Sequence, residues 1–156
     1  MPDRPLNVSS HIFVSDADAA AAFYCSVFGA SVLLRNALPS GRVLFVELAF
    51  GPAKLMISDE FPEIGGSPPP ATGGSSALLL LEVEDVDGAA ALALAAGAQI
   101  EMAITEMFWG ERYGILRDPF GHRWAITTHR DNLDPAEVAQ RHAPIPDDWP
   151  ASFPSG

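Results

Sequence analysis

The chain repeats itself. Laid on itself with an offset of about 70 residues, two Ala-rich segments coincide. Ser15-Asp16-Ala17-Asp18 opens the first, which ends at Phe28-Gly29-Ala30, and Glu84-Asp85-Val86-Asp87 opens the second, which ends at Ala96-Gly97-Ala98. Carboxylates favour the positive end of a helix, and Gly favours the position just past its end. Both segments therefore read as helices. Helical spacing groups Ala19, Ala22, Phe23, Ser26 and Val27 on one face of the first, and Ala89, Leu92, Ala93 and Ala96 on one face of the second.

The flanks repeat too. Phe50-Gly51-Pro52 joins the apolar runs 43–49 and 53–58, and Phe120-Gly121-His122 joins 112–117 and 122–128. Short strands precede each helix, at about 7–14 and 77–83, and follow it, at about 31–36 and 99–104. Each half reads strand–helix–strand–strand–strand. The expected class is α+β: two βαβββ modules forming half-barrels around a cavity. Residues 1–130 form this paired domain, with module one at about 7–60 and module two at about 77–130. Between them, 61–76 carries Pro68-Pro69-Pro70 and Gly73-Gly74-Ser75-Ser76 and reads as a linker, with a lid as the alternative. The remainder, 131–156, holds a short helix opened by Asp134-Pro135 and then a Pro-rich tail.

Composition narrows the function classes. The net charge is −11, and Lys54 is the one lysine, so a nucleic acid or an anionic membrane is repelled. A single cysteine, Cys25, excludes an internal disulfide and a Cys-based metal cluster. The N-terminus lacks an apolar signal segment and no apolar run approaches membrane-spanning length, so a cytoplasmic protein is expected.

Phe23-Tyr24 before Phe28-Gly29-Ala30, and Asp118-Pro119-Phe120-Gly121 before a final strand, resemble the vicinal oxygen chelate superfamily of glyoxalases, extradiol dioxygenases and bleomycin-resistance proteins. Phe108-Trp109-Gly110-Glu111-Arg112 and Gly121-His122-Arg123-Trp124 resemble its PhnB-like branch. The resemblance implies strands that roll around a ligand cavity. Its metal-using members place one His, Glu or Gln on each of four strands. Carried over by register, those positions fall on Ser9, Glu47, Leu78 and Ala125. One carboxylate stands among four, and a firmly held divalent ion needs three or more protein ligands. No cofactor is therefore expected. A weak divalent metal on His11 and Glu47 is the fallback.

Strand alternation lines the cavity with Ser9, His11 and Phe13, with Phe45, Glu47 and Ala49, with Leu78 and Leu80, and with Arg123, Ala125 and Thr127. Phe108, Trp109, Arg112 and Tyr113 form a candidate gate at its mouth: Trp109 offers a stacking surface, and Arg112 a partner for an anion or carbonyl, unless it pairs with Glu106 or Glu111. Trp124 alternates away from Ala125 and reads as core. Glu47 lies within an apolar strand. Such a carboxylate is either ion-paired, with Arg123 or Arg35 as the expected partner, or a general base.

The first functional expectation is a homodimeric, metal-free protein that binds a small aromatic molecule through His11, Phe45, Glu47, Phe108, Trp109, Arg112, Tyr113 and Arg123. The alternative is a lyase, isomerase or dioxygenase that uses Glu47 as base or in a weak metal site. A purely structural dimer is the third reading.

Overall fold

The computed structural model describes residues 4–107, 110–128, 134–142 and 147. The chain divides into two compact units, 1–71 and 72–156, with the division inside the expected linker.

In the first unit, Asp16 and Gly29 bound the helix as their chemistry requires. The Asp16 carboxylate accepts the Ala19 amide, and Gly29 closes the helix at φ 74°, a left-handed conformation. Between them lies α1 (Ala17–Phe28), preceded by β1 (Ser10–Phe13) and followed by β2 (Ser31–Ala37), β3 (Val43–Phe50) and β4 (Ala53–Ser58). The sheet order is β1-β4-β3-β2, with β1 parallel to β4 and the other pairs antiparallel. Asp59 fastens this unit. One of its oxygens accepts the Ala17 amide at 2.8 Å and the other the Val43 amide at 2.7 Å. Residues 61–66, expected as linker, are built into this unit. Phe61 and Gly66 pair across a 3-10 turn (Pro62–Ile64), and the Arg42 guanidinium lies 4.0 Å over the Phe61 ring.

The second unit repeats the plan. The Asp85 carboxylate accepts the Gly88 amide and opens α2 (Val86–Ala95). Around it lie β5 (Leu79–Val83), β6 (Gln99–Glu106), β7 (Arg112–Arg117) and β8 (Arg123–Thr128), in the order β5-β8-β7-β6. A short α3 (Pro135–His142) follows. The class is α+β, two βαβββ modules and a C-terminal helix.

The expected helix faces are rotated. The buried positions of α1 are Ala17, Ala20, Ala21, Phe23, Tyr24 and Val27, while Ala19, Ala22 and Ser26 are exposed. Those of α2 are Val86, Ala90 and Ala93, whereas Leu92 is 55% exposed. Ala fills about half of each helix, which weakens the amphipathic signal. The cap sets the phase instead: in each helix the first residue after the capping Asp faces the sheet, and positions four and seven further on follow it.

Candidate functional site

In each unit the helix covers one sheet face, and alternation leaves the other face to the candidate residues. On the helix side of module one lie the buried Ile12, Val46, Leu48, Leu55 and Ile57. On the open side the register aligns His11, Met56, Glu47 and Leu34 in one row across four strands. His11 and Glu47 are thus two strands apart, about 10 Å between Cα atoms, with Met56 between them.

Both fallback metal ligands have protein partners. His11 Nε2 and the Ser58 hydroxyl lie 2.7 Å apart, and Ser58 in turn donates to the Leu44 carbonyl at 2.6 Å. The His11 ring stacks on Phe13 with centroids 4.7 Å apart. Partial burial lowers the His11 pKa, because it disfavours the charged imidazolium. Glu47 pairs with Lys54 at 3.1 Å. Neither expected partner reaches it. Arg35 is opposite Val46 and points to the helix side, where it makes two hydrogen bonds to Asp18. Arg123 is engaged within its own module. Lys54 wins because the β3–β4 hairpin sets it diagonally across from Glu47 on the same face. Phe45 also lies on β3, half-buried two residues from Glu47.

Module two carries an apolar row across all four strands: Leu80, Ala125, Ile115 and Met102. Ala125 is the position expected to correspond to the last ligand of metal-using relatives. Polar rows flank it. On one side Glu82, Thr127, Tyr113 and Thr105 align. Burial raises the Tyr113 pKa, and the charge of Arg123 opposes that rise. On the other side Arg123 is opposite Arg117, and both clasp Glu101. Burial pushes the Glu101 carboxyl up, but hydrogen bonds from Arg123 and Arg117 outweigh it and hold its pKa below the ordinary carboxylate range.

Arg112 is engaged, in part as expected: Glu106, one of the two carboxylates the sequence offered, is within ion-pair distance, but the closer partner is Asp87. Its guanidinium makes two hydrogen bonds to Asp87, at 2.9 and 2.8 Å, with Glu106 at 3.8 Å rather than Glu111 as its second carboxylate. Phe108 and Trp109 lie outside the described residues. Trp124 is core, as expected: it is 4% exposed and its indole N–H donates to buried Asp118 at 2.9 Å. Among the described residues, no three His, Cys, Asp or Glu side chains converge as a metal site. No helix among them is long and apolar enough to cross a membrane.

Sequence reasoning missed Glu101, Arg117, Lys54 and Ser58. Lys54 and Ser58 follow from the hairpin register once Phe50-Gly51-Pro52 is read as the turn. Glu101 carries no such signal, because β6 has irregularities between Ile100 and Met102 and between Met102 and Thr105 that break alternation.

The model of the glyoxalase/bleomycin resistance protein/dioxygenase superfamily matches residues 7–126. The chain belongs to that superfamily. An uncharacterized protein of Mycobacterium bovis is 34% identical to this superfamily member over 137 residues, which cover 85% of this chain and 90% of that one. An uncharacterized Mycobacterium tuberculosis protein matches equally well, over 81% of its own length. Among solved structures, a gene product of Arabidopsis thaliana has a TM-score of 0.64 at 28% identity, covering 79% of this chain and 98% of that chain. TioX from Micromonospora sp. ML1 has a TM-score of 0.61 at 27% identity, covering 80% and 99%. A superfamily enzyme of Burkholderia phytofirmans has a TM-score of 0.59 at 25% identity, covering 77% and 96%.

Proposed function

We propose that the protein binds a small, flat aromatic molecule on its open sheet faces without a metal ion, as a homodimer. The observation that carries this reading is the apolar row Leu80–Ala125–Ile115–Met102. It puts no donor atom at the position where the superfamily resemblance calls for a metal ligand. Hydrocarbon there, with polar rows on either side, is the composition of a small-molecule surface rather than of an ion site. The His11–Phe13 stack supplies an aromatic surface in module one. Glu47 and His11 are engaged with Lys54 and Ser58, which argues against both a weak metal site and a free general base. Three adjacent exposed apolar residues on edge strand β2 support self-association.

Two measurements test the reading. Metal analysis of the purified protein, with melting curves before and after chelator, is expected to give no bound ion and no shift. A stoichiometric metal whose removal lowers the midpoint overturns the metal-free reading. Titration with flat aromatic compounds, read by tryptophan fluorescence, is expected to give saturable quenching that weakens in Trp109→Phe. Failure of every compound to bind, by calorimetry as well as fluorescence, overturns the binding reading.

A further inference from the structure

The described ion pairs are mostly matched one to one. Arg35 has Asp18, Arg42 has Glu63, Lys54 has Glu47, and Arg112 has two carboxylates. Glu101 differs, because two guanidinium groups share this one carboxylate. Arg117 donates from Nε to Oε1 and keeps Nη2 in ion-pair contact with the same oxygen, and Arg123 donates from Nε to Oε2 at 2.6 Å. The cluster therefore keeps one excess positive charge in a chain of net charge −11.

The position of that charge is specific. The Arg117, Arg123 and Glu101 side chains are 21%, 28% and 23% exposed, whereas the other paired cations are 37–56% exposed. Reduced solvent contact strengthens an ionic interaction made there. Arg117 is held from two sides. Glu101 takes one edge, and Gly73, at φ 92°, packs so closely that an added Cβ would lie 2.7 Å from its Nη1. Arg123 is engaged only through Nε among the described residues, so its two terminal nitrogens keep a two-donor edge. That edge matches the two oxygens of a planar carboxylate. Arg123 shares its sheet face with Ala125, two residues along β8; Ala125 itself is buried, so an acid held by this edge would lay its body on the accessible members of the apolar row, Leu80, Ile115 and Met102.

We propose that the Arg117–Glu101–Arg123 cluster is the docking site for a carboxylate of the bound molecule, with Arg123 as the contacting residue and Arg117 and Glu101 fixing its position. The inference rests on the reading that this face binds a small aromatic molecule. It specifies that the ligand is an aromatic acid. The overall charge of the chain repels anions, so any preference for an acid must originate locally.

Calorimetry on the full chain with 2-naphthoate and the nearly isosteric 2-naphthamide separates the two readings. The acid is expected to bind at least about tenfold more tightly, the increment of one good charge-assisted hydrogen bond. Arg123→Gln is expected to erase the preference, and Arg123→Lys to retain part of it. Glu101→Gln is expected to enlarge the preference, because removing the one carboxylate that competes for both guanidinium groups outweighs the loss of the tie that orients them. Equal binding of acid and amide overturns the docking site while the aromatic-binding reading stands. Binding of neither, while other flat aromatic compounds bind, overturns the docking site alone; binding of no flat aromatic compound at all overturns both. A preference that survives Arg123→Gln in protein shown by its melting curve to be folded also overturns it. So does a Glu101→Gln protein that is destabilised yet no better at binding the acid, since that is the behaviour of a purely structural tie between strands.

Discussion

At the scale of single residues, buried polar groups decide more than exposed charges. Asp118 is 4% exposed and accepts the Phe120 and His122 amides and the Trp124 indole N–H, each at 2.9 Å. Trp124→Phe keeps most of the ring volume but removes one donor from a buried carboxylate. It is expected to cost about 1–3 kcal/mol, measured by urea unfolding. Glu101 gives a pH signature. Its folded-state pKa is depressed below the unfolded value, so its contribution to stability is present above the ordinary carboxylate range and is lost as pH falls through the folded value. The stability gap between wild type and Glu101→Gln is therefore expected to be widest near neutrality and to narrow below about pH 4. A gap that stays constant with pH would show that the carboxylate charge plays no part.

At the scale of elements, caps and registers set the geometry. Asp16→Ala removes the side chain that accepts the Ala19 amide and is expected to cost about 1 kcal/mol, read as a lower melting midpoint with helix content otherwise retained. The β6–β7 pair is more sensitive. A Cβ at Gly114 would lie 2.5 Å from Ile104 Cδ1 and 3.0 Å from the Met102 carbonyl oxygen. Gly114→Ala is therefore expected to displace β6 from β7 and to cost about 1–3 kcal/mol, since backbone does not yield as a flexible side chain does. Early amide exchange confined to 99–106 and 112–117 is the matching local observable. The turns at Phe50-Gly51 and Phe120-Gly121 were legible in the sequence, and the strands they join lie within a residue of expectation. The helix faces were not, because Ala at about half of the positions, on all sides of each helix, leaves the hydrophobic pattern with a weak phase.

At the scale of the whole molecule, the edges of the sheets point to association. Val32, Leu33 and Leu34 are 52%, 51% and 53% exposed in succession on β2, an edge strand. An unpaired apolar edge is normally covered. Light scattering on the purified chain is expected to give twice the mass of one chain. Mutating Leu33 and Leu34 to Lys is expected to give the monomer with its circular dichroism unchanged. A wild-type monomer at micromolar concentration would remove the dimer from the proposed function.

The sequence by itself determined the two-module plan, the elements and the superfamily, because these rest on local chemistry: caps, turn residues and a repeat that survives without any long-range contact. It also determined which residues of regular strands alternate onto the sheet face away from the helix, His11, Phe45, Glu47, Arg123 and Ala125 among them. Tertiary structure alone decided who partners whom. Glu47 goes to Lys54 through the hairpin register, Arg112 to Asp87 across 25 residues of chain, and Arg117 and Arg123 to Glu101 on an irregular strand. Long charged side chains reach partners on a neighbouring strand, on the strand beyond it or on the covering helix, and an irregularity shifts the face of every residue beyond it. Those pairings depend on the assembled sheet, not on any local stretch of sequence.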